Sequence, residues 1–246
     1  IFDSLLKSLQ SDVAVVVAYG KIIPPTLLAI PTHGFLNLHL SLLPKYRGAA
    51  PVQWALLNGE KETGATVFRL NAFLDTGPIL LQEKCSISDE DNAEGLFSQL
   101  FSLGGDLLEK ALQKIEKSED HYLEQDDKLA SFAPILLPES GEMDFRKTAR
   151  EIHNRVRGLV LWPGAYTFYH GKRLKILQTR LLSFSMGRQP FLPGEIIEMV
   201  KQEGFLIGTG DGALLVLAVQ PEGGRKMNAY DFCLGHQLAV GNVLPN

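Results

Sequence analysis

Five consecutive apolar residues, Val13-Ala14-Val15-Val16-Val17, constrain this chain more than any other feature. An unbroken run of that length reads as a strand buried on both faces, the kind used by parallel sheets with helices on either side. Before it, Phe2, Leu5, Leu6 and Leu9 recur at helical spacing, so IFDSLLKSLQ predicts a helix already under way at Ile1, and an absent N-terminal portion is expected. After it the alternation continues. A short helical turn is predicted over 25–30, a strand over 34–40, and a helix over 49–57 that Pro51 opens and Gly59 closes. Strands follow over 65–70 and 79–87. Asp89 or Asp91 then caps a long helix carrying Leu96, Leu100, Leu103, Leu107, Leu108, Leu112 and Ile115. This alternation predicts an α/β domain over residues 1–117 with a mainly parallel sheet.

The pattern changes twice more. Residues 118–142 are polar and irregular, broken by Asp126-Asp127-Lys128, Pro134 and Pro138, and read as an interdomain linker. Beyond them one helix near 148–160 precedes short strands over 166–169, 173–182, 195–200, 205–209 and 213–218, with His170-Gly171 as a turn. Such strands predict a small barrel or sandwich over residues 143–246. Gly208-Thr209-Gly210-Asp211-Gly212 lacks the Lys-Ser/Thr and opening helix of a phosphate loop and reads as a hairpin turn. With 246 residues, 45% of them hydrophobic, the chain has material for two ordinary cores.

Charge divides along the same line. Residues 1–146 carry 12 basic against 21 acidic side chains, whereas residues 147–246 carry 12 against 7. The overall charge of −4 thus conceals a basic C-terminal part suited to an anionic partner, nucleic acid first among them. Arg150, Arg155, Arg157, Lys172, Arg173, Lys175, Arg225 and Lys226 are the candidate phosphate contacts there. Cys85 and Cys233 stand alone, without neighbours at metal-ligand spacing, which predicts two buried thiols in a reducing compartment and no metal site. No apolar run approaches the roughly 20 residues of a membrane span.

The chemistry-bearing segment is Asn37-Leu38-His39-Leu40-Ser41-Leu42-Leu43-Pro44. Period-two geometry turns the amide and the imidazole the same way at the end of a strand, where open α/β sheets border their ligands. A strand-end histidine is also a common structural hydrogen-bonder, and Leu74-Asp75-Thr76-Gly77-Pro78 alone is an ordinary turn. Together they are more specific. N-x-H-x-S-L-L-P followed by an Asp 36 residues after the His resembles the signature of the folate-dependent formyltransferases. Lys45-Tyr46-Arg47-Gly48-Ala49-Ala50-Pro51, Asn58-Gly59-Glu60-Lys61-Glu62-Thr63-Gly64 and Ala18-Tyr19-Gly20-Lys21-Ile22-Ile23 are similar to the same family.

That resemblance implies a Rossmann-like formyltransferase domain followed by an OB-like β-barrel, with Asn37, His39 and Asp75 as the catalytic set. It implies 10-formyltetrahydrofolate as co-substrate, met by Tyr19, Gly20, Lys21, Ile23, Ser41, Leu42, Leu43, Pro44 and Leu74. Met143-Asp144-Phe145, Leu161-Trp162-Pro163-Gly164-Ala165 and Gln220-Pro221-Glu222-Gly223-Gly224-Arg225-Lys226-Met227 look most like members that formylate initiator methionyl-tRNA, with Arg47 as a further tRNA contact. An acceptor such as an amino-sugar nucleotide, or a degraded homologue that only binds folate or RNA, stays open. Leu40 departs from the family's usual small residue or Pro, and residues 133–137 lack an expected Lys. The first strands of the family, a Gly-containing loop and an inserted tRNA-gripping loop would lie before residue 1. A monomeric, cytoplasmic enzyme is expected, and an organellar targeting segment would be compatible with the start at Ile1.

In the expected reaction an amine attacks the formyl carbon, Asn37 and His39 hydrogen-bond the developing oxyanion, and Asp75 orients His39 or raises its pKa and relays the amine's proton, directly or through water. Ser41 lies in a turn and is not a nucleophile.

Overall fold

The computed structural model describes residues 2–182 and 191–245; Ile1, where the opening helix is expected to start, lies outside them. The chain forms two compact units, one of Ile1–Ala55, Glu60–Asp91 and Gly95–Ile135, the other of Leu56–Gly59, Asn92–Glu94 and Leu136–Asn246. Among the described residues, no helix is long and apolar enough to cross a membrane.

In chain order the first stretch holds α1 (Phe2–Ser8), β1 (Ala14–Val17), α2 (Pro25–Leu28), β2 (Phe35–His39), β3 (Arg47–Gly48), α3 (Pro51–Leu57), β4 (Glu62–Arg69), β5 (Ile79–Ser86), α4 (Ala93–Glu116) and β6 (Phe132–Ala133). The four longer strands form one sheet in the order β1-β2-β4-β5. β1 and β2 make the expected parallel pairing, with Val15 opposite Leu36. By contrast, β2 pairs antiparallel with β4, and β4 with β5. The physical reason is clearest for β4 and β5, which a helix-free loop joins; parallel neighbours need a crossover of a dozen or more residues.

β1 corrects the expectation of burial on both faces. It lies at the edge of the described sheet, and Val15 and Val17 are each 42% exposed. Leu6, Leu27 and Phe35 form a small core beside it, with Ala14 and Val16 packed against them. The segment expected to be a linker contains structure of its own. Leu123 pairs with Ile79, and β6 pairs in parallel with β3, Arg47 opposite Phe132.

The second unit contains α5 (Ala149–Gly158), β7 (Ala165–Tyr169), β8 (Lys172–Leu181), β9 (Ile196–Val200), β10 (Gly204–Thr209), β11 (Gly212–Pro221), β12 (Met227–Asn228) and α6 (Ala229–His236). Thr148 caps α5 through the reciprocal bonds of a capping box with Glu151, as the sequence T-x-x-E dictates. Asp211, in the two-residue turn of the β10–β11 hairpin, accepts the Ala149 N–H at 2.7 Å, so the glycine-rich string is a turn that also caps the start of α5.

The strands run β7-β8-β11-β10-β9 with β12 beside β11, all antiparallel. No pairing among the described residues joins β7 to β9, so where a barrel is expected the described strands form an open sheet. Its inner face carries Leu174, Ile176, Ile207, Leu214 and Val216, and α5 and α6 supply Ile152, Val156 and Phe232 to the same core. The hydrophobic stripe of α5 therefore has a sheet to bury against, which stabilises a ten-residue helix that would be marginal alone.

Candidate active site

Packing on one face of β2 dictates what the other presents. Leu36 is fully buried, and the Leu38 methyl groups lie against α4, where a Cβ on Gly104 would fall 2.6 Å from Leu38 Cδ2. Strand alternation therefore turns Asn37 and His39 away from α4. Because β1 runs parallel to β2, residues 18–23 and 40–48 leave the sheet at the same carboxyl end.

His39 is 6% exposed, and its Nε2 lies 2.9 Å from the Tyr46 carbonyl. A carbonyl only accepts, so Nε2 carries the proton and the neutral ring presents an unprotonated Nδ1. Nδ1 in turn lies 3.7 Å from Asp75 Oδ2, beyond direct hydrogen bonding. Burial pushes the imidazole pKa below its ordinary value, and the Asp75 carboxylate and the Tyr46 carbonyl offset this only in part. The sequence expectation that Asp75 raises His39 is right for that one interaction but not for the net shift.

Asp75 is held from several sides. Its φ is +52°, a left-handed conformation that costs an L-residue roughly 1–2 kcal/mol and must be imposed by its surroundings. Oδ2 accepts the Gly48 N–H at 2.8 Å. Gly48 has φ +128°, and a Cβ there would stand 2.5 Å from the Ala133 carbonyl oxygen. Gly77 is needed for close approach, since its Cβ would lie 1.7 Å from the Arg69 carbonyl oxygen. Asn37 differs from these neighbours. It is half-buried, and its side chain has no hydrogen-bond partner among the described residues, so its N–H groups remain available to a ligand.

Between these groups, residues 41–44 are pinned by a buried network. Thr66 Oγ1 donates to the Ser41 carbonyl at 2.6 Å and accepts from the Leu43 N–H, while Gln82 Nε2 bonds both the Leu43 carbonyl and Thr66 Oγ1. Within the expected folate set, some side chains are taken up by this network. Ser41 is fully buried with its hydroxyl donated to the Lys45 carbonyl, and Leu43 is 3% exposed, so their side chains brace the loop. Leu42 and Pro44 are half-buried beside them. Tyr19, Lys21 and Leu74 are exposed, Gly20 lies in open space, and Ile23 packs on the small core beside β1.

Among the expected tRNA contacts, Arg47 is corrected. Its side chain is buried, donating through Nε and Nη2 to Gln125 Oε1 at 3.1 and 2.8 Å and through Nη2 to Asp127. Arg157 is likewise buried, donating to Asn154, and half-buried Arg155 donates to the Ser140 carbonyl. Arg150, Lys172, Arg173, Arg225 and Lys226 are exposed, and Lys175 is half-buried. Register gathers several of them at one end of the second unit's sheet: Leu174 pairs with Pro221, and the Arg173 carbonyl accepts the Glu222 N–H, next to the turn bearing Arg225 and Lys226. The Arg173 guanidinium also stacks 4.1 Å from the Tyr166 ring centre. Sequence reasoning passed over Arg180, which with Lys226 lines a cleft of about 620 Å³.

Gln125 was equally invisible, an amide within a polar stretch without periodicity. Its Nε2 donates to the Asp75 carbonyl at 2.9 Å and the Gly77 carbonyl at 2.7 Å. Among the described residues no group of three or more His, Cys, Asp or Glu could hold a metal ion.

Known proteins share both halves of this arrangement. Residues 2–112 match the family described as formyl transferase, and residues 136–237 match the formyl transferase C-terminal domain. A methionyl-tRNA formyltransferase of Thermodesulfovibrio yellowstonii is 45% identical over 240 residues, 98% of this chain and 75% of that protein. One from Caldanaerobacter subterraneus subsp. tengcongensis is 41% identical over 239 residues, 97% of this chain and 76% of that protein. Solved structures share the fold at lower identity. HypX from Aquifex aeolicus in complex with tetrahydrofolic acid gives a TM-score of 0.69 at 15% identity, over 99% of this chain and 44% of that one. An N-formyltransferase from Helicobacter canadensis, in complex with folinic acid and dTDP-3-aminofucose, gives 0.67 at 23% over 85% and 71%.

Proposed function

The chain belongs to the formyl transferase family, and on that premise we propose that it moves the formyl group of 10-formyltetrahydrofolate onto the amino group of methionine on initiator methionyl-tRNA. The observation that carries this reading is the approach of Asp75 to His39, 36 residues apart in sequence, beside an unpartnered Asn37 amide. High coverage of methionyl-tRNA formyltransferases favours this acceptor over an amino-sugar nucleotide.

The reaction needs a donor for the oxyanion and an acceptor for the amine's proton. Asn37 is suited to the first role, since its N–H groups have no partner among the described residues; one such donor typically contributes about 3–4 kcal/mol to the transition state. His39 is suited to the second. With Nε2–H committed to Tyr46 and burial keeping the ring neutral, Nδ1 is a base facing the same side as Asp75. Once Nδ1 holds the proton, the imidazolium is stabilised by Asp75, and as the tetrahedral intermediate collapses and the bond from the formyl carbon to N10 breaks, His39 hands that proton to the departing folate nitrogen. The order differs from the sequence expectation, in which His39 donates throughout.

A folate pteridine would meet the loop after β1, with Tyr19, Gly20, Lys21 and Ile23, and Leu74 from the Asp75 loop. On this reading the donor and chemistry belong to residues 1–117, residues 118–142 connect and brace, and residues 143–246 hold tRNA through Arg150, Lys172, Arg173, Lys175, Arg225 and Lys226. We place the enzyme in the cytoplasm as a monomer. Transfer of labelled formyl to charged initiator tRNA, with an amino-sugar nucleotide as competitor, tests the proposal: labelled tRNA is expected, and preferential labelling of the sugar would assign the other acceptor.

A further inference from the structure

Gln125 makes more of the site's hydrogen bonds than any of the three residues credited with the chemistry. Its amide has one orientation. Arg47 can only donate, and its two N–H groups reach Oε1, so the amide oxygen faces Arg47 and Nε2 faces the two carbonyls of the Asp75 turn. The segment carrying Gln125 is anchored nearby, Leu123 by paired bonds of 2.8 Å to Ile79 and Tyr122 by its ring under the Arg69 guanidinium. Arg47 is fixed in turn by the pairing of β3 with β6.

We propose that Gln125 is a positioning residue for formyl transfer: it clamps the backbone of Asp75 and Gly77 so that the Asp75 carboxylate stays beside His39, and Arg47 sets the direction of the clamp. The proposal rests on the reading of His39 and Asp75 as the reacting pair. The need for a clamp follows from conformation, because Asp75 sits at φ +52° and no longer has to stay there once its carbonyl is released. Its carboxylate has one described backbone donor, Gly48 N–H, which steers Oδ2 but leaves the peptide free to turn. A shift of about 1 Å in a reacting group costs on the order of a hundredfold in rate.

Two variants separate positioning from mere packing. Gln125→Met keeps the volume and loses both roles; Gln125→Glu keeps the acceptor for Arg47 and loses the donor. Both are expected to lower kcat about 10- to 100-fold while KM for 10-formyltetrahydrofolate and methionyl-tRNA stays within about twofold. A second readout needs no turnover. In Gln125→Met the His39 imidazole, followed by NMR titration, is expected to move further below its wild-type pKa, since Asp75 is the charged group facing it and Tyr46 offers only a carbonyl. Full activity in Gln125→Glu would show that Gln125 serves only as an acceptor for Arg47 and would overturn the proposal. So would a wild-type His39 titration in a folded Gln125→Met. If the wild-type protein transferred no formyl group while His39 still shifted in the variant, the assigned reaction would fail and the clamp would stand.

Discussion

The surroundings of His39 in the first unit and the start of β8 in the second both collect polar side chains, and they do so by opposite means. Around His39 most side chains are committed to fixed partners: Nε2 to Tyr46, Asp75 Oδ2 to Gly48, Gln125 to two carbonyls, Arg47 to Gln125 and Asp127, with Asn37 and His39 Nδ1 left open. At the start of β8, Lys172, Arg225 and Lys226 are exposed and the exposed Arg173 stacks on the Tyr166 ring, so the cations lie at the surface rather than in a closed hydrogen-bonded network. On the proposed reading, the contrast separates reaction chemistry, held in a few interlocked positions, from attachment to a polyanion, spread over many exposed ones.

The largest effect that would sharpen this contrast belongs to Asn37→Ala. Losing its donor should lower kcat about 10²–10³-fold with an unchanged thermal midpoint, checked by steady-state formyl transfer beside calorimetry. A smaller loss would put Asn37 outside the reaction. Next come the two kinds of arginine compared directly. Arg47→Met leaves Gln125 Oε1 without its donors and should destabilise the fold by about 1–3 kcal/mol in denaturant titrations, whereas Arg225→Met should stay within about 0.5 kcal/mol. Equal losses would erase the distinction.

Charge reversal on the exposed face should act on tRNA alone. Arg225→Glu with Lys226→Glu is expected to weaken methionyl-tRNA binding about tenfold and to flatten the dependence of log affinity on log salt by about one per contact, with folate affinity intact. The smallest effect concerns pH. His39 has a folded pKa below its unfolded value of 6.5, so between those two values the unfolded chain binds the extra proton and stability rises with pH. The contribution is lost as pH falls below about 6.5 and levels off once the folded pKa is passed. Asp75→Asn removes the carboxylate that opposes this depression, so its acid loss of stability should extend to lower pH than in the wild type. An unchanged profile would detach Asp75 from His39.

What sequence could and could not reveal follows the range of the interactions. β2, β4, β5 and α5 are governed by local periodicity and caps, and Thr148 with Glu151 spells its helix start within four residues. Asn37 and His39 sit two apart on one strand, and Asp75 was reached through resemblance rather than pattern. Arg47 and Gln125 meet across 78 residues, a pairing that leaves no local mark; a buried arginine and a solvated one look alike in a polar loop. The two exposed valines of β1 have the same cause in reverse, since an apolar run predicts burial but cannot name the neighbour that provides it. The open sheet of the second unit was missed because short strands and turns specify hairpins, whereas closure depends on a pairing between the first and last of them.

The most direct test of the central claim is a double-mutant cycle in single-turnover formyl transfer to methionyl-tRNA, comparing wild type, His39→Gln, Asp75→Asn and the double variant. If the two side chains act as one proton-handling unit across their 3.7 Å separation, the double variant should be scarcely slower than the slower single variant. Losses that simply multiply would mean that His39 and Asp75 work independently and would contradict the account.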